Sequence, residues 1–225
     1  MTRLLNWAAA AAVALGLIGL AHAPAKAADA ARILANANAT ITDLKRDPVF
    51  LNARATLRNA RAVLIVPRLI KGGFVFGAEG GDGVLLARTG RGWSAPAFYT
   101  LGSASFGLQI GLEEAELVMF IMSDRALRGI EAGKIKLGAG AGITVITLGA
   151  AGEAATPVNL AGDILVWAVA KGVYGGLTLN GSVIAPQDDT NAAFYRGRFS
   201  AYDIVSGRVR SPAGARLRAN LSGVW

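Results

Sequence analysis

The chain has 225 residues, and 23 lysines and arginines against 15 acidic residues give it a formal net charge of +8. It contains no cysteine and one histidine, His22, so disulfides, thiolate catalysis and ordinary Cys/His zinc sites are excluded. The charge favours anionic partners such as lipid headgroups, nucleic acid or acidic glycans. We predict no metal and no cofactor.

Residues 1–27 have the pattern of a secretory signal peptide. Arg3 provides the positive start, Ala8–Ala21 is apolar throughout, and Ala25-Lys26-Ala27 is a small-x-small site that predicts cleavage before Ala28. At 14 residues the apolar run is shorter than a bilayer span, although a retained membrane anchor is the alternative.

Cleavage at this site removes His22, and with it any Ser-His-Asp triad or Cys-His pair. The prediction is therefore an exported protein, periplasmic or secreted and possibly peripheral on a membrane, with one domain over residues 28–225. Export argues against nucleic acid as the partner.

Two helices are predicted at the start of this domain. In Ala28–Arg46, four apolar residues recur at helical spacings of four and three: Ile33, Ala37, Ile41 and Leu44. Asp47-Pro48 then favours a second helix over about Pro48–Arg61, with Asp47 as its N-cap.

The second predicted helix carries a basic stripe formed by Arg54, Arg58 and Arg61, with Phe50, Leu51 and Leu57 as its apolar contacts. A basic stripe beside an apolar one is typical of a helix that lies on an anionic membrane. A solvated face is the alternative interpretation.

The sequence then changes to the period of β-strands. The apolar runs Val63–Val66 and Gly83–Leu86 flank a glycine-rich centre, which predicts a sharply bent hairpin whose backbone another surface can approach. We expect Arg68 and Lys71 to lie at the mouth of the turn, beside exposed Leu69 and Ile70. This basic rim with an apolar tip suits an anionic amphiphile, or else it is a hairpin turn with solvated charges.

Further short strands are predicted along the rest of the chain, and their spacing favours a strongly curved antiparallel sheet. The fold class is therefore α+β, with the N-terminal helices packed on a Gly-rich sheet. Ser123 is expected to cap a helix at Asp124–Ile130, and a further helix is expected from Asp188 to about Tyr195. The other predicted strands are Phe74–Gly77, Gly83–Arg88, Ser103–Gly111, Leu117–Ile121, Ile143–Leu148, Ile164–Ala170 and Gly175–Ile184.

The C-terminal part, about residues 199–225, is predicted to be irregular and basic. From Arg196 onward six arginines face a single acidic residue, Asp203, and the segment includes Gly207, Pro212 and Gly214. Such a tail either keeps the protein soluble or is attracted to a charged bilayer, where each base is worth up to ~1 kcal/mol.

Several ordered blocks resemble the SYLF lipid-binding domain, which is found in exported bacterial proteins and in eukaryotic membrane-trafficking and actin-patch proteins. The blocks are IVPRLIKGGFVFGAEGGDGVLL, WSAPAFYTLGSASFGLQIG and GLTLNGSVI, and the similarity runs from about Ala28 to about Arg198. The resemblance implies binding of anionic lipids without catalysis. The aromatic residues of WSAPAF suit either a membrane interface or the core.

The function predicted from these observations is non-catalytic binding of anionic phospholipid or a membrane surface. The lipid-binding residues would be Arg54, Arg58, Arg61, Arg68, Leu69, Ile70 and Lys71. Two alternatives stay open. One is a hydrolase that uses the carboxylates of Glu79 and Asp82, and the other is a scaffold of the cell envelope that binds an unidentified protein partner.

Overall fold

The computed structural model of the protein describes residues 3–46, 56–73, 76–106, 111–133, 135–137, 145–148, 162–171, 179 and 181–223. The first helix, α1 (Arg3–Arg46), buries the predicted stripe: Ile33, Ala37, Ile41 and Leu44 all lie in the core. Among the described helices, none combines the length and apolar character needed to cross a bilayer.

The second predicted helix lies largely outside the described residues, and so does Arg54. Of that segment, residues 56–59 are helical, and Leu57 is buried as expected. The chain then enters the sheet at Ala62.

The described residues form a strongly curled sheet of nine strands in the order β6-β9-β4-β2-β1-β5-β8-β7, with β3 paired to β2. Every pairing is antiparallel except that of β7 with β8, which is parallel. The predicted α+β class is confirmed. The strands are β1 (Ala62–Gly73), β2 (Phe76–Thr89), β3 (Gly92–Trp93), β4 (Ala97–Phe106), β5 (Gly111–Ile121), β6 (Ile135–Lys136), β7 (Val145–Leu148), β8 (Ile164–Lys171) and β9 (Val183–Pro186).

Both faces of the central strands are covered, which explains why β1 begins with a continuous apolar run. Leu64 and Val66 belong to a core cluster on the face that we call inner, whereas Val63 and Ile65 pack with α1 on the opposite face, which we call outer. Because side chains alternate along a strand, a strand buried on both faces shows no apolar–polar alternation.

A β-bulge in β1 sets the bend of the β1–β2 hairpin. The register of β1 against β2 shifts between Ile65 and Ile70. A Cβ atom added at Gly81 would lie 2.5 Å from the carbonyl oxygen of Arg68, and one added at Gly83 would lie 2.5 Å from that of Ile65. The close approach predicted for the glycine-rich stretch is therefore made by the backbone of β1.

Two predicted strands differ from the structure. The stretch Ser103–Gly111 is divided between the end of β4 and the start of β5, and residues 107–110 lie outside the described residues. Gly175–Ile184 contributes a strand only from Val183 onward among its described residues. Gly181 has a left-handed φ of 89°, which places it in a turn.

Four short helices complete the part of the fold that the structure describes: α2 (Asp124–Glu131), α3 (Asp188–Tyr195), α4 (Ala201–Val205) and α5 (Ala215–Ser222). The predictions for α2 and α3 are confirmed, and the Ser123 hydroxyl accepts from the Ala126 N–H as an N-cap does.

The expectation of an irregular C-terminus is wrong. Leu217 and Leu221 of α5 are buried in the outer core, because their spacing of four residues places them on one helix face. The amide of Asn220 donates to the carbonyl oxygen of Asn38 and to Thr42 Oγ1 of α1, at 3.2 Å in each case. Residues 201–222 are therefore part of the folded domain.

Candidate functional site

The two predicted basic residues of the hairpin lie within strand β1 and not at the mouth of the turn. Arg68 and Ile70 face the outer side, where they are 61% and 37% exposed. Leu69 is 1% exposed and belongs to the inner core, so the expectation of an exposed Leu69 is wrong. The bulge brings this residue to the inner face, and its contacts there are apolar.

Lys71 is half-buried and shares the inner face with Leu69 by strand alternation. It is in register with Glu79 of β2 and with Glu113 of β5. Lys71 therefore lies on the face of the sheet opposite Arg68, and it does not extend the outer basic surface.

An open groove of about 380 Å³ lies on the outer face where α1 crosses the end of the hairpin. We call it the β1 groove. Its walls combine two guanidinium groups, an exposed isoleucine and the bare backbone of Gly80, where a Cβ would meet no atom within 4 Å. The lining residues are Arg32, Ile33, Asn36, Pro67, Arg68, Ile70, Gly80, Gly81, Asp82 and Thr100.

Each charge of the β1 groove has a partner. Arg68 Nε donates to Glu114 Oε2 at 3.0 Å, and Arg32 Nη2 donates to Asp29 Oδ1 at 2.8 Å. The Asp82 carboxylate accepts from Thr100 Oγ1 at 3.0 Å. These pairs are exposed, so each contributes little to stability and can exchange for another ligand.

Glu79 and Asp82 do not form a catalytic carboxylate pair. They are three positions apart in a regular stretch of the β2–β4 pairing, so their side chains point to opposite faces of the sheet. Glu79 is 6% exposed on the inner side and accepts from Ser182 Oγ at 2.5 Å, whereas Asp82 is exposed on the outer side. This geometry does not support the hydrolase alternative. Among the described residues, no three His, Cys, Asp or Glu side chains converge as metal ligands would.

The predicted basic residues of the second helix are far from the β1 groove. Arg58 and Arg61 are exposed just before β1, and Arg61 pairs with Asp124 at 3.3 Å. Seven positions of strand, ~23 Å, separate Arg61 from Arg68. The described residues of the predicted set thus form two groups at opposite ends of β1.

The aromatic residues of β3 and the start of β4 belong to the core and not to a membrane-facing surface. Trp93, Phe98 and Tyr99 are buried. The buried side chain of Asn191 in α3 accepts from the Phe98 N–H at 2.9 Å and donates to the Phe98 carbonyl oxygen at 3.2 Å. Burial raises the pKa of the Tyr99 hydroxyl, and the negative charges of Glu131 and Asp188 raise it further.

The amino-acid sequence of the chain is similar to those of known proteins. A model of the Ysc84 family, described as "Las17-binding protein actin regulator", matches residues 102–222 of the chain. The chain belongs to the Ysc84 family, whose domain is the SYLF domain.

Three curated Ysc84 relatives are from eukaryotes. The chain is 34% identical over 154 residues to SH3 domain-containing YSC84-like protein 1 of Rattus norvegicus, which covers 68% of this chain and 45% of the relative. It is 33% identical over 163 residues to Protein YSC84 of Saccharomyces cerevisiae, and this alignment covers 71% of the chain and 35% of the relative. It is 32% identical over 160 residues to LAS seventeen-binding protein 3 of the same yeast, and this alignment covers 69% of the chain and 35% of the relative. The chain spans less than half the length of these relatives.

Sequence reasoning missed Arg32 as a residue of the β1 groove in this Ysc84 domain. Arg32 precedes Ile33 of the buried stripe, so it lies at the border between the buried and solvated faces of α1. A basic residue at such a border can reach a surface beside the helix, and this sequence signal could have identified Arg32. The sequence does not show which strand end α1 crosses, because that depends on tertiary packing.

Proposed function

We propose that this Ysc84 domain binds anionic phospholipid surfaces without catalysis, and that the β1 groove is the contact. The observation that carries the proposal is the position of exposed Ile70 beside the guanidinium groups of Arg68 and Arg32 in one open groove. Guanidinium groups match the geometry of phosphate oxygens, and an adjacent apolar side chain can enter the acyl boundary of a bilayer.

Electrostatics beyond the groove support the same proposal. The whole chain carries a formal charge of +8, and removal of the signal peptide would lower this by two through the loss of Arg3 and Lys26. A net positive charge raises the concentration of the protein at an anionic surface even before specific contacts form. The six arginines after residue 195 add to this field, although they belong to a folded segment.

We further propose that the domain acts after export, as a peripheral protein of the periplasm or the cell surface. The sequence pattern of residues 1–27 supports this proposal. A domain that begins at Ala28 would retain the whole buried stripe of α1, from Ala30 to Leu44. The contacts of α1 with the sheet are therefore compatible with cleavage.

Co-sedimentation with vesicles of phosphatidylcholine and an increasing fraction of phosphatidylglycerol or cardiolipin tests the proposal. The bound fraction should rise steeply with the anionic fraction and should fall as salt is added, since screening shortens the reach of each charge. Binding that depends on neither variable would contradict it.

A protein-binding module is the second candidate function, and the family description "Las17-binding protein actin regulator" favours it. An exported chain would not meet actin, so the partner would be a different protein of the cell envelope. Affinity capture from a membrane-free envelope extract tests this candidate. A specific partner whose recovery does not change when lipid vesicles are added would support it, whereas recovery of no specific partner would contradict it.

A further inference from the structure

A second cavity lies at the opposite end of β2, between the β2–β3 turn and the segment that joins α4 to α5. Its volume is about 340 Å³. Nine strand positions, ~30 Å along β2, separate Gly80 of the β1 groove from Thr89 at this cavity. The lining residues are Thr89, Arg91, Trp93, Ser94, Ala95, Gly207, Val209, Arg210, Ser211 and Arg218.

The charged residues that line this cavity are all arginines: Arg91, Arg210 and Arg218. Arg91 and Arg210 are exposed, so their guanidinium groups can turn toward a ligand. Arg218 is held in place, because Nη1 donates to the Ala213 carbonyl oxygen at 2.7 Å and Nη2 to that of Ser211 at 3.0 Å. These bonds use two of its five N–H donors. Three guanidinium groups around one small cavity repel one another unless an anion lies between them.

Trp93 forms a buried wall of the cavity, and the Arg88 guanidinium group lies over its ring at 4.3 Å from the centroid. Its Nε1–H group is closed to solvent and has no hydrogen-bond partner among the described residues. The case for a bound anion therefore rests on the three guanidinium groups that line the cavity.

We propose that this cavity binds a tetrahedral oxyanion, either free phosphate or the phosphate of a phosphomonoester headgroup. Arg91 and Arg210 would supply charge-assisted hydrogen bonds to its oxygens, the preferred use of the guanidinium fork. Arg218 would fix the 211–213 segment and add a third positive charge. The volume suits a headgroup and not a whole lipid. The proposal does not depend on the β1 groove, because the two sites share no residue.

Isothermal titration at constant ionic strength tests the proposal, with inorganic phosphate as the free probe. Vesicles of phosphatidylcholine with and without phosphatidic acid present the lipid-borne form. We expect saturable binding of at least one probe, at least tenfold weaker in an Arg91→Gln/Arg210→Gln variant. Both residues are exposed, so this variant should fold. The control variant Arg128→Gln/Arg198→Gln removes the same charge at exposed positions outside the cavity and should bind as the original protein does.

The two probes distinguish free phosphate from a lipid headgroup as the source of the bound oxyanion. Saturation by phosphate alone would identify a free anion, and saturation by phosphatidic acid with no response to phosphate would identify a headgroup. The proposal is overturned if neither probe saturates, or if the control variant loses as much affinity as the Arg91/Arg210 variant.

Discussion

Arg68 Nε donates to the Glu114 carboxylate at 3.0 Å, on the outer face of the strand pair β1–β5. This contact holds the guanidinium group that the proposed lipid surface depends on, and Glu114 is 37% exposed. An exposed pair of this kind is worth only ~0.2–1 kcal/mol to stability. A phosphate group can therefore compete with Glu114 for Arg68.

Replacement of Glu114 should strengthen membrane binding. In a Glu114→Gln variant, Arg68 loses its carboxylate partner and the outer face gains one unit of positive charge. Because a base near an anionic bilayer is worth up to ~1 kcal/mol, affinity for phosphatidylglycerol vesicles should rise by up to about fivefold. Vesicle co-sedimentation at low salt measures this change, and an unchanged or lower affinity would show that Arg68 does not meet the lipid.

Two adjacent glycines should respond oppositely to alanine. The Cβ of Gly81→Ala would lie 2.5 Å from the Arg68 carbonyl oxygen, so β1 or β2 must shift, and we expect a loss of about 1–3 kcal/mol in unfolding free energy. Gly80→Ala meets no atom within 4 Å, and a gain of about 0.5–1 kcal/mol is expected from the lower entropy of the unfolded chain. Urea unfolding of both variants tests the pair. Equal midpoints would contradict the bulge geometry.

The C-terminal helix should contribute to global stability. Leu217 is 1% exposed in the outer core, so Leu217→Ala should cost about 2–5 kcal/mol. Arg216 is exposed next to it, and Arg216→Ala should change stability by no more than ~0.5 kcal/mol. Thermal unfolding of the two variants distinguishes a packed segment from a disordered basic tail, for which both changes would be small.

Lys26 should control the titration of Asp189. The ammonium group donates to Asp189 Oδ2 at 2.6 Å, and this hydrogen bond together with the positive charge lowers the pKa of the carboxyl group. A lowered folded-state pKa stabilises the fold above the ordinary Asp pKa, and this contribution disappears as the pH falls through the folded-state value. In a Lys26→Gln variant the pKa should rise toward its ordinary value.

An NMR titration of the Asp189 carboxyl carbon measures this shift. Cleavage before Ala28 removes Lys26, so the mature protein should titrate as the variant does. A pKa that is the same in the full chain and in the variant would contradict the ion pair.

Local patterns predicted the elements of this fold better than they predicted its site. The stripe from Ile33 to Leu44 and the Ser123 cap depend on neighbours within one helix, so spacing and residue type were sufficient. The inner position of Leu69 was not predictable from spacing, because it depends on the bulge in β1 that inverts the alternation.

The helices of the C-terminal segment were also not predicted, because they too depend on contacts with distant parts of the chain. Gly207 and Gly214 argue against a long helix, and none is found there, but each has a left-handed φ, 79° and 74°, and forms a turn beside a short helix. The apolar pair Leu217 and Leu221 was a weak signal of α5. The cavity that Arg91, Arg210 and Arg218 line could not be inferred, because more than a hundred residues separate the first of them from the others.

The most direct test of the central claim is the affinity of an Arg32→Gln/Arg68→Gln variant for phosphatidylglycerol vesicles, compared with the charge-matched Arg128→Gln/Arg198→Gln variant. At up to ~1 kcal/mol for each base, the groove variant should lose up to about fivefold in affinity for each charge removed, and clearly more than the control. Equal losses in the two variants, or no loss in the groove variant, would contradict the assignment of the β1 groove as the anionic-lipid contact.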